Sequence, residues 1–260
     1  MQPISTRPEP PVSTARSVSG ADRSVRSVLV ATALLAVSTL GAFAIVEGFA
    51  ALQPALGLGE SFALTFVVGG SLATLWLAVV GAAYIRVRPV RIHYDLRWPA
   101  VRDLPWLVGG LVAIIVASLL IELVGGLLGA GTATNISSAA AVENPVVIYT
   151  AFIVVNLVFI APVEEFLFRG VVQGRLRESF GPVAAITITA VGFGLAHIPS
   201  YWFGGSDLLS VAVWAALLSI AATGAVMGWV YERTESLLVA SLLHGLVNTV
   251  GISLALAAAL

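Results

Sequence analysis

Three short stretches hold side chains able to do chemistry inside otherwise inert surroundings. Ala161-Pro162-Val163-Glu164-Glu165-Phe166-Leu167-Phe168-Arg169 sets two carboxylates and an arginine in an apolar run. Phe193-Gly194-Leu195-Ala196-His197 ends in an imidazole, and His244-Gly245-Leu246-Val247-Asn248 carries an imidazole and an amide. Glu165 and Arg169 stand four apart with the acid first, the favourable helical order, so that pair neutralises itself. Glu164 points about 100° around the same helix and is left without that partner. Phe193 and His197 share one helix face, and so do His244 and Asn248. A carboxylate and an imidazole on neighbouring helices can polarise a water. An imidazole and an amide opposite them can donate to the oxyanion that forms when the water attacks a carbonyl. This is equipment for hydrolysing an amide. Cysteine is absent and so is Gly-x-Ser-x-Gly, which removes the thiol nucleophile and the serine elbow from consideration.

The elements that must position these groups are set by composition. Of 260 residues, 58% are hydrophobic and only 10% charged, too few to cover the exterior of a soluble domain. Lipid tolerates such a surface. Apolar runs near 27–51, 61–85, 105–128, 146–168, 182–198, 208–231 and 237–259 predict an all-α, polytopic transmembrane bundle of seven spans, since about 20 apolar residues cross a bilayer. Residues 1–26, rich in Ser, Pro and Arg, read as a disordered cytoplasmic tail. Residues 27–130 form the N-terminal membrane helices and 145–260 the catalytic bundle. Ala42-Phe43-Ala44 resembles a cleavage site, but the long tail and long apolar run favour a retained first helix. The fourth run continues amphipathically to about Arg177, and Pro199 marks the end of the fifth.

The basic residues are all arginine, and they alternate between connections. Arg7, Arg16, Arg23 and Arg26 precede the first span; Arg86, Arg88, Arg91, Arg97 and Arg102 follow the second; Arg175 and Arg177 follow the fourth; Arg233 follows the sixth. The connections near 52–60, 129–145 and 199–207 have none. This predicts a multi-pass protein of the cell membrane with its N-terminus in the cytoplasm. Glu164 lies 17 residues before Gly181 and His197 16 after it, so both sit about 25 Å along their helices from that turn. His244 and Asn248 lie 10 and 14 residues past Thr234, roughly 15–21 Å along. The four meet in one layer, in the cytoplasmic half or the middle of the membrane. Glu47 and Glu122 read as reaching the outer interface, Asn156 as glue within the bundle and His93 as solvated in a basic loop. Trp98 and Trp106 read as interfacial anchors of the third span.

In order on successive helices, Glu-Glu-x-x-x-Arg, Phe-x-x-x-His and His-x-x-x-Asn resemble the type II CAAX prenyl endopeptidases, a family that includes bacteriocin-processing and self-immunity relatives. The likeness covers roughly 145–255, and all three motifs are complete. It implies an intramembrane endopeptidase in which Glu164 and His197 activate water and His244 and Asn248 stabilise the oxyanion. Glu165 and Arg169 would stiffen the helix around Glu164, and Phe193 would either pack in the core or touch an apolar substrate chain. The partners implied are membrane lipid and a peptide or membrane-associated protein, prenylated if the family name holds, and no nucleic acid. Members have also been described as metalloproteases. Two histidines and a carboxylate would form an open zinc site, but His-Glu-x-x-His is absent, so no cofactor is expected, with zinc as the alternative. A different class stays open: a non-catalytic transporter or immunity protein using the same cluster to bind protons or a ligand. A transporter more often shows repeated halves, and none are found here.

Overall fold

The computed structural model describes residues 20–88, 96–142 and 144–260. These residues are helical, with no strand among them, and seven helices are long and apolar enough to cross a membrane. The spans run Gly20–Leu52, Phe62–Val87, Val101–Leu127, Pro145–Arg177, Pro182–Phe203, Val211–Thr234 and Leu237–Ala259. Their starts follow local chemistry. The side chains of Ser61, Asn144, Ser210 and Ser236 each accept a hydrogen bond from the third amide of the second, fourth, sixth and seventh spans. Pro105, Pro145 and Pro182 occupy first turns, where a missing N–H costs nothing. A short helix, Ile136–Ala141, capped by Asn135, lies between the third and fourth spans.

Two expectations change. The first helix begins at Gly20, so residues 20–26 of the expected tail are helical; Asp22 in the first turn complements the helix dipole, and the Arg23 carbonyl accepts from Ser179 Oγ. The rest of that tail, residues 1–19, and His93 lie outside the described residues. Pro199 does not end the fifth span. The helix breaks at Ala196-His197 and resumes as Ile198–Phe203, with Pro199 accommodated in the new first turn.

Hydrogen bonds sort the connections into two ends. At one end Ser27 meets Ser179 at 2.7 Å, and Arg88 pairs with Glu178 at 3.1 Å. There too Arg97 grips Asp103 with both terminal nitrogens, at 2.7 and 2.8 Å, and donates to the Thr234 carbonyl. This end gathers the start of the first span, the link between the second and third, and the turns after the fourth and sixth. The arginine-bearing connections therefore cluster together. At the opposite end Thr134 and Ser206 exchange two hydrogen bonds, Trp202 donates to Glu47 at 3.2 Å, and Phe43 stacks on Phe203. Those connections contain no arginine.

The surface matches the solvent a bundle of this composition requires. Leu119, Leu120, Leu123, Val124 and Leu127 of the third span point outward, although a water-soluble helix would turn them in. The main core draws on all seven spans, and Ile114, Leu167, Val171, Met227, Val230 and Leu243 are buried together at its centre. Small residues let helices approach. A Cβ on Gly194 would stand 2.7 Å from the Leu217 carbonyl oxygen of the sixth span. Backbone cannot yield as a side-chain tip can, so Gly194→Leu should force the fifth and sixth spans apart. We expect a loss of about 1–3 kcal/mol, read as a lowered thermal midpoint in detergent; an unchanged midpoint would contradict this packing.

Candidate active site

The fourth span supplies the carboxylates. It is not a uniform α-helix: two stretches, Asn156–Ile160 and Phe166–Gln173, adopt wide π-type turns. Pro162 accounts for the first, because it cannot donate to the carbonyl four residues back and its ring crowds that carbonyl. Wide turns of this kind cluster at functional sites because they re-aim side chains. Between them lie Glu164 and Glu165, which part company as their phase difference requires. Glu165 is fully buried, whereas the Glu164 side chain keeps 17% of its surface accessible.

Glu165 Oε1 accepts from Arg169 at 2.9 Å and from His244 Nδ1 at 2.9 Å. The pair with Arg169 follows from the spacing of four. The bond to His244 was not foreseen, because it joins the fourth span to the seventh. Arg169 also donates to the Gly224 carbonyl of the sixth span at 2.9 Å, and its guanidinium lies 4.8 Å from the centre of the Phe193 ring. One buried charge pair thus ties three spans together. With His244 Nδ1 engaged, the opposite nitrogen, Nε2, faces Glu164 Oε2 at 3.8 Å.

His197 sits at the break in the fifth span. Its Nδ1 donates to the Phe193 carbonyl at 2.8 Å, one turn back. A carbonyl only accepts, so the proton of the neutral ring is on Nδ1, and Nε2 keeps its lone pair. Phe193 itself is 2% exposed. Its ring packs edge-on against His197 at 4.9 Å and His244 at 5.8 Å, as well as against Phe168. Core packing describes this burial, and the residue also lines a cavity shared with both histidines.

Asn248 Nδ2 donates to Asn156 Oδ1 at 2.9 Å, and Asn156 in turn donates to the Gly245 carbonyl at 3.2 Å. Asn156 is fully buried and does glue the fourth span to the seventh, but it also fixes the orientation of Asn248. Sequence reading had counted it as packing alone. The available signal was an amide inside an apolar run, two turns ahead of Glu164. A second omission is a row at intervals of four. It runs Glu165, Arg169, Gln173, Arg177, and the last three meet Gly224, Gly228 and Glu232 of the sixth span. Gln173 donates to Glu232 at 2.9 Å, and Arg177 pairs with the same carboxylate at 3.0 Å.

Two cavities meet at these residues. Glu164, His197 and Asn248 line one of about 270 Å3, whose other walls are largely apolar: Phe43, Phe66, Leu77, Phe152 and Phe203. His197, His244 and Asn248 line another of about 420 Å3, which carries the hydroxyls of Ser137, Ser138, Ser219 and Thr223. Among the described residues, no three His, Asp or Glu side chains are gathered as a metal-binding group.

Residues 146–250 match the family model described as type II CAAX prenyl endopeptidase, Rce1-like. This segment is similar to the Rce1-like family. It reaches from the fourth span into the seventh and contains all three motifs; the first three spans lie outside it. No curated protein and no solved structure shows significant similarity to the chain. The match supports a CAAX protease-like family of intramembrane endopeptidases and a multi-pass membrane protein.

Within the segment that matches the family model, the Glu165–Arg169 pair has no solvent to fall back on. Removing one partner strands the other charge, at a cost of about 3–5 kcal/mol, whereas removing both together does not. Glu165→Gln and Arg169→Met should each lower stability strongly. The double variant should lose much less than the sum of the two, as a double-mutant cycle in detergent would show. Additive losses would mean that the pair is not coupled as described.

Proposed function

We propose that this protein hydrolyses a peptide bond within the membrane, with water activated between Glu164 and His197. The observation that carries this reading is the shared cavity. Glu164, His197 and Asn248 line one space, and they arrive there on three different spans. The Glu164 carboxylate, accessible and free of the arginine, takes the proton of a water whose other hydrogen is held by His197 Nε2. The water oxygen bonds to the carbonyl carbon of the substrate, and the carbonyl oxygen becomes an oxyanion. Asn248, turned by Asn156, donates its second N–H to that oxyanion. His244, held at Nδ1 by Glu165 behind it, turns Nε2 toward the same oxyanion. Glu164 then returns the proton to the departing amine, and the C–N bond breaks to leave a carboxylic acid and an amine.

Glu165 and Arg169 act here as positioning residues for His244, a more direct part than stiffening the helix. Phe193 positions both imidazoles. The mechanism needs no metal, so chelators should leave activity intact; loss on chelation, restored by zinc, would favour the metalloprotease reading. The transporter or immunity reading gains no specific support from the geometry.

Glu164→Gln keeps the shape of the side chain and removes the base. Peptide processing should fall by about 10²-fold or more, while expression and thermal midpoint stay unchanged. Asn156→Ala should lower kcat by about tenfold to 10²-fold with KM little altered, because it frees Asn248 without touching the cavity wall. Processing that persists in Glu164→Gln would refute the assignment.

A further inference from the structure

Most of the lining of the two cavities lies on one side of the layer of Glu164 and His197, with Phe168 one turn beyond Glu164 on the other. From the layer of Glu164 and His197 their walls run through Phe66, Phe152, Ser200 and Phe203 to Ile136 and Ser137, at the end whose connections lack arginine. The Thr134–Ser206 and Glu47–Trp202 bonds place those residues at that end independently of the cavities. The other direction is closed. Beyond Glu164 the fourth span is buried without interruption from Leu167 to Gln173. Its row of Arg169, Gln173 and Arg177 is sealed by hydrogen bonds and an ion pair onto the sixth span. Thirteen residues separate Glu164 from Arg177, about 20 Å of helix, so the plug is as deep as the cytoplasmic half of a bilayer.

The walls also differ in kind. The cavity reached through Glu164 is bounded by the first and second spans and is mostly aromatic and aliphatic. The cavity on the His244 side presents Asn135, Ser137, Ser138, Ser200, Ser219 and Thr223, and it carries no charged side chain apart from the histidines. His197 and Asn248 belong to both, so a chain crossing from one cavity to the other passes the hydrolytic groups.

Resting on the peptidase reading above, we propose that the substrate is a membrane-inserted peptide cut near the arginine-free end of its span. Its apolar flank occupies the first cavity, and an uncharged polar flank occupies the second. Arginine-rich connections stay in the cytoplasm. The open end therefore faces away from it, and the polar product is released on the extracytoplasmic side.

The absence of cysteine makes the direction directly testable. Ser137→Cys, Ser200→Cys and Glu178→Cys are each treated with a membrane-impermeant maleimide, in intact cells and after permeabilisation. Ser137→Cys and Ser200→Cys should label in intact cells, whereas Glu178→Cys, at the arginine-rich end, should label only once the membrane is breached. The reverse pattern, labelling of all three from outside, or no labelling of the first two under either condition overturns the proposal. Labelling needs no catalysis, so it stands apart from the peptidase reading. The substrate is tested by comparing membrane peptides of cells with the active protein and with Glu164→Gln. Cut sites should fall at extracytoplasmic ends of apolar segments; cut sites in cytoplasmic segments refute the proposal. If the two cell types show no difference, the peptidase reading fails and takes the substrate with it, and the labelling then reports access alone.

Discussion

A carboxylate with no exposed surface stands between a guanidinium and an imidazole in a bundle solvated by lipid. Taking such charges out of water is expensive, and only close partners offset the cost. Glu165 meets that condition by sharing one oxygen between Arg169 and His244. The arrangement fixes more than local charge. Arg169 is bonded to the sixth span through Gly224, and His244 belongs to the seventh, so a slip of either helix past the fourth breaks a buried hydrogen bond to one of the two ions. Apolar contacts in lipid give no such penalty for sliding, because tails solvate leucine as well as another helix does. The buried pair supplies the register, and the reactive groups inherit it.

Phe193 extends the same constraint to the fifth span. Its ring lies under the Arg169 guanidinium and edge-on to both imidazoles, so His197 is referenced to the charge pair without bonding to it. The helix break at His197 completes the placement. It turns the imidazole toward the cavity while the Phe193 carbonyl holds its Nδ1. Asn156 does the corresponding work for Asn248 from the far side. His197, His244 and Asn248 are therefore each aimed by a partner on protein.

Much of this was legible in the sequence where physics acts locally. Lipid demands long apolar helices, so the seven spans stood out from composition. The spacing of four gave the Glu165–Arg169 pair, and the alternation of arginines separated the connections that cluster at each end. What could not be read depends on contacts between distant segments. Nothing in the Glu164-Glu165 dipeptide says that His244 will choose the second acid. Asn156 was seen but judged alone, and its meaning lies in Asn248, 92 residues later. Pro199 reads as a terminator because proline breaks helices; a proline in a first turn does not, and the break lies two residues earlier, at His197. The polar row from Glu165 to Arg177 had a visible period, but its partners on the sixth span are mostly backbone carbonyls, which every sequence carries.

The wide turn at Phe166–Gln173 bears on which of the two adjoining acids faces the cavity. Glu164 and Glu165 are the same amino acid, and only angular phase distinguishes the one facing the cavity from the one in the core. A π-type turn accommodates one residue more than an α-turn. Excising one residue there would wind the upstream helix by about 100°, enough to hand each glutamate its neighbour's post. The division of labour between two chemically identical side chains is thus written as a rotation of the backbone.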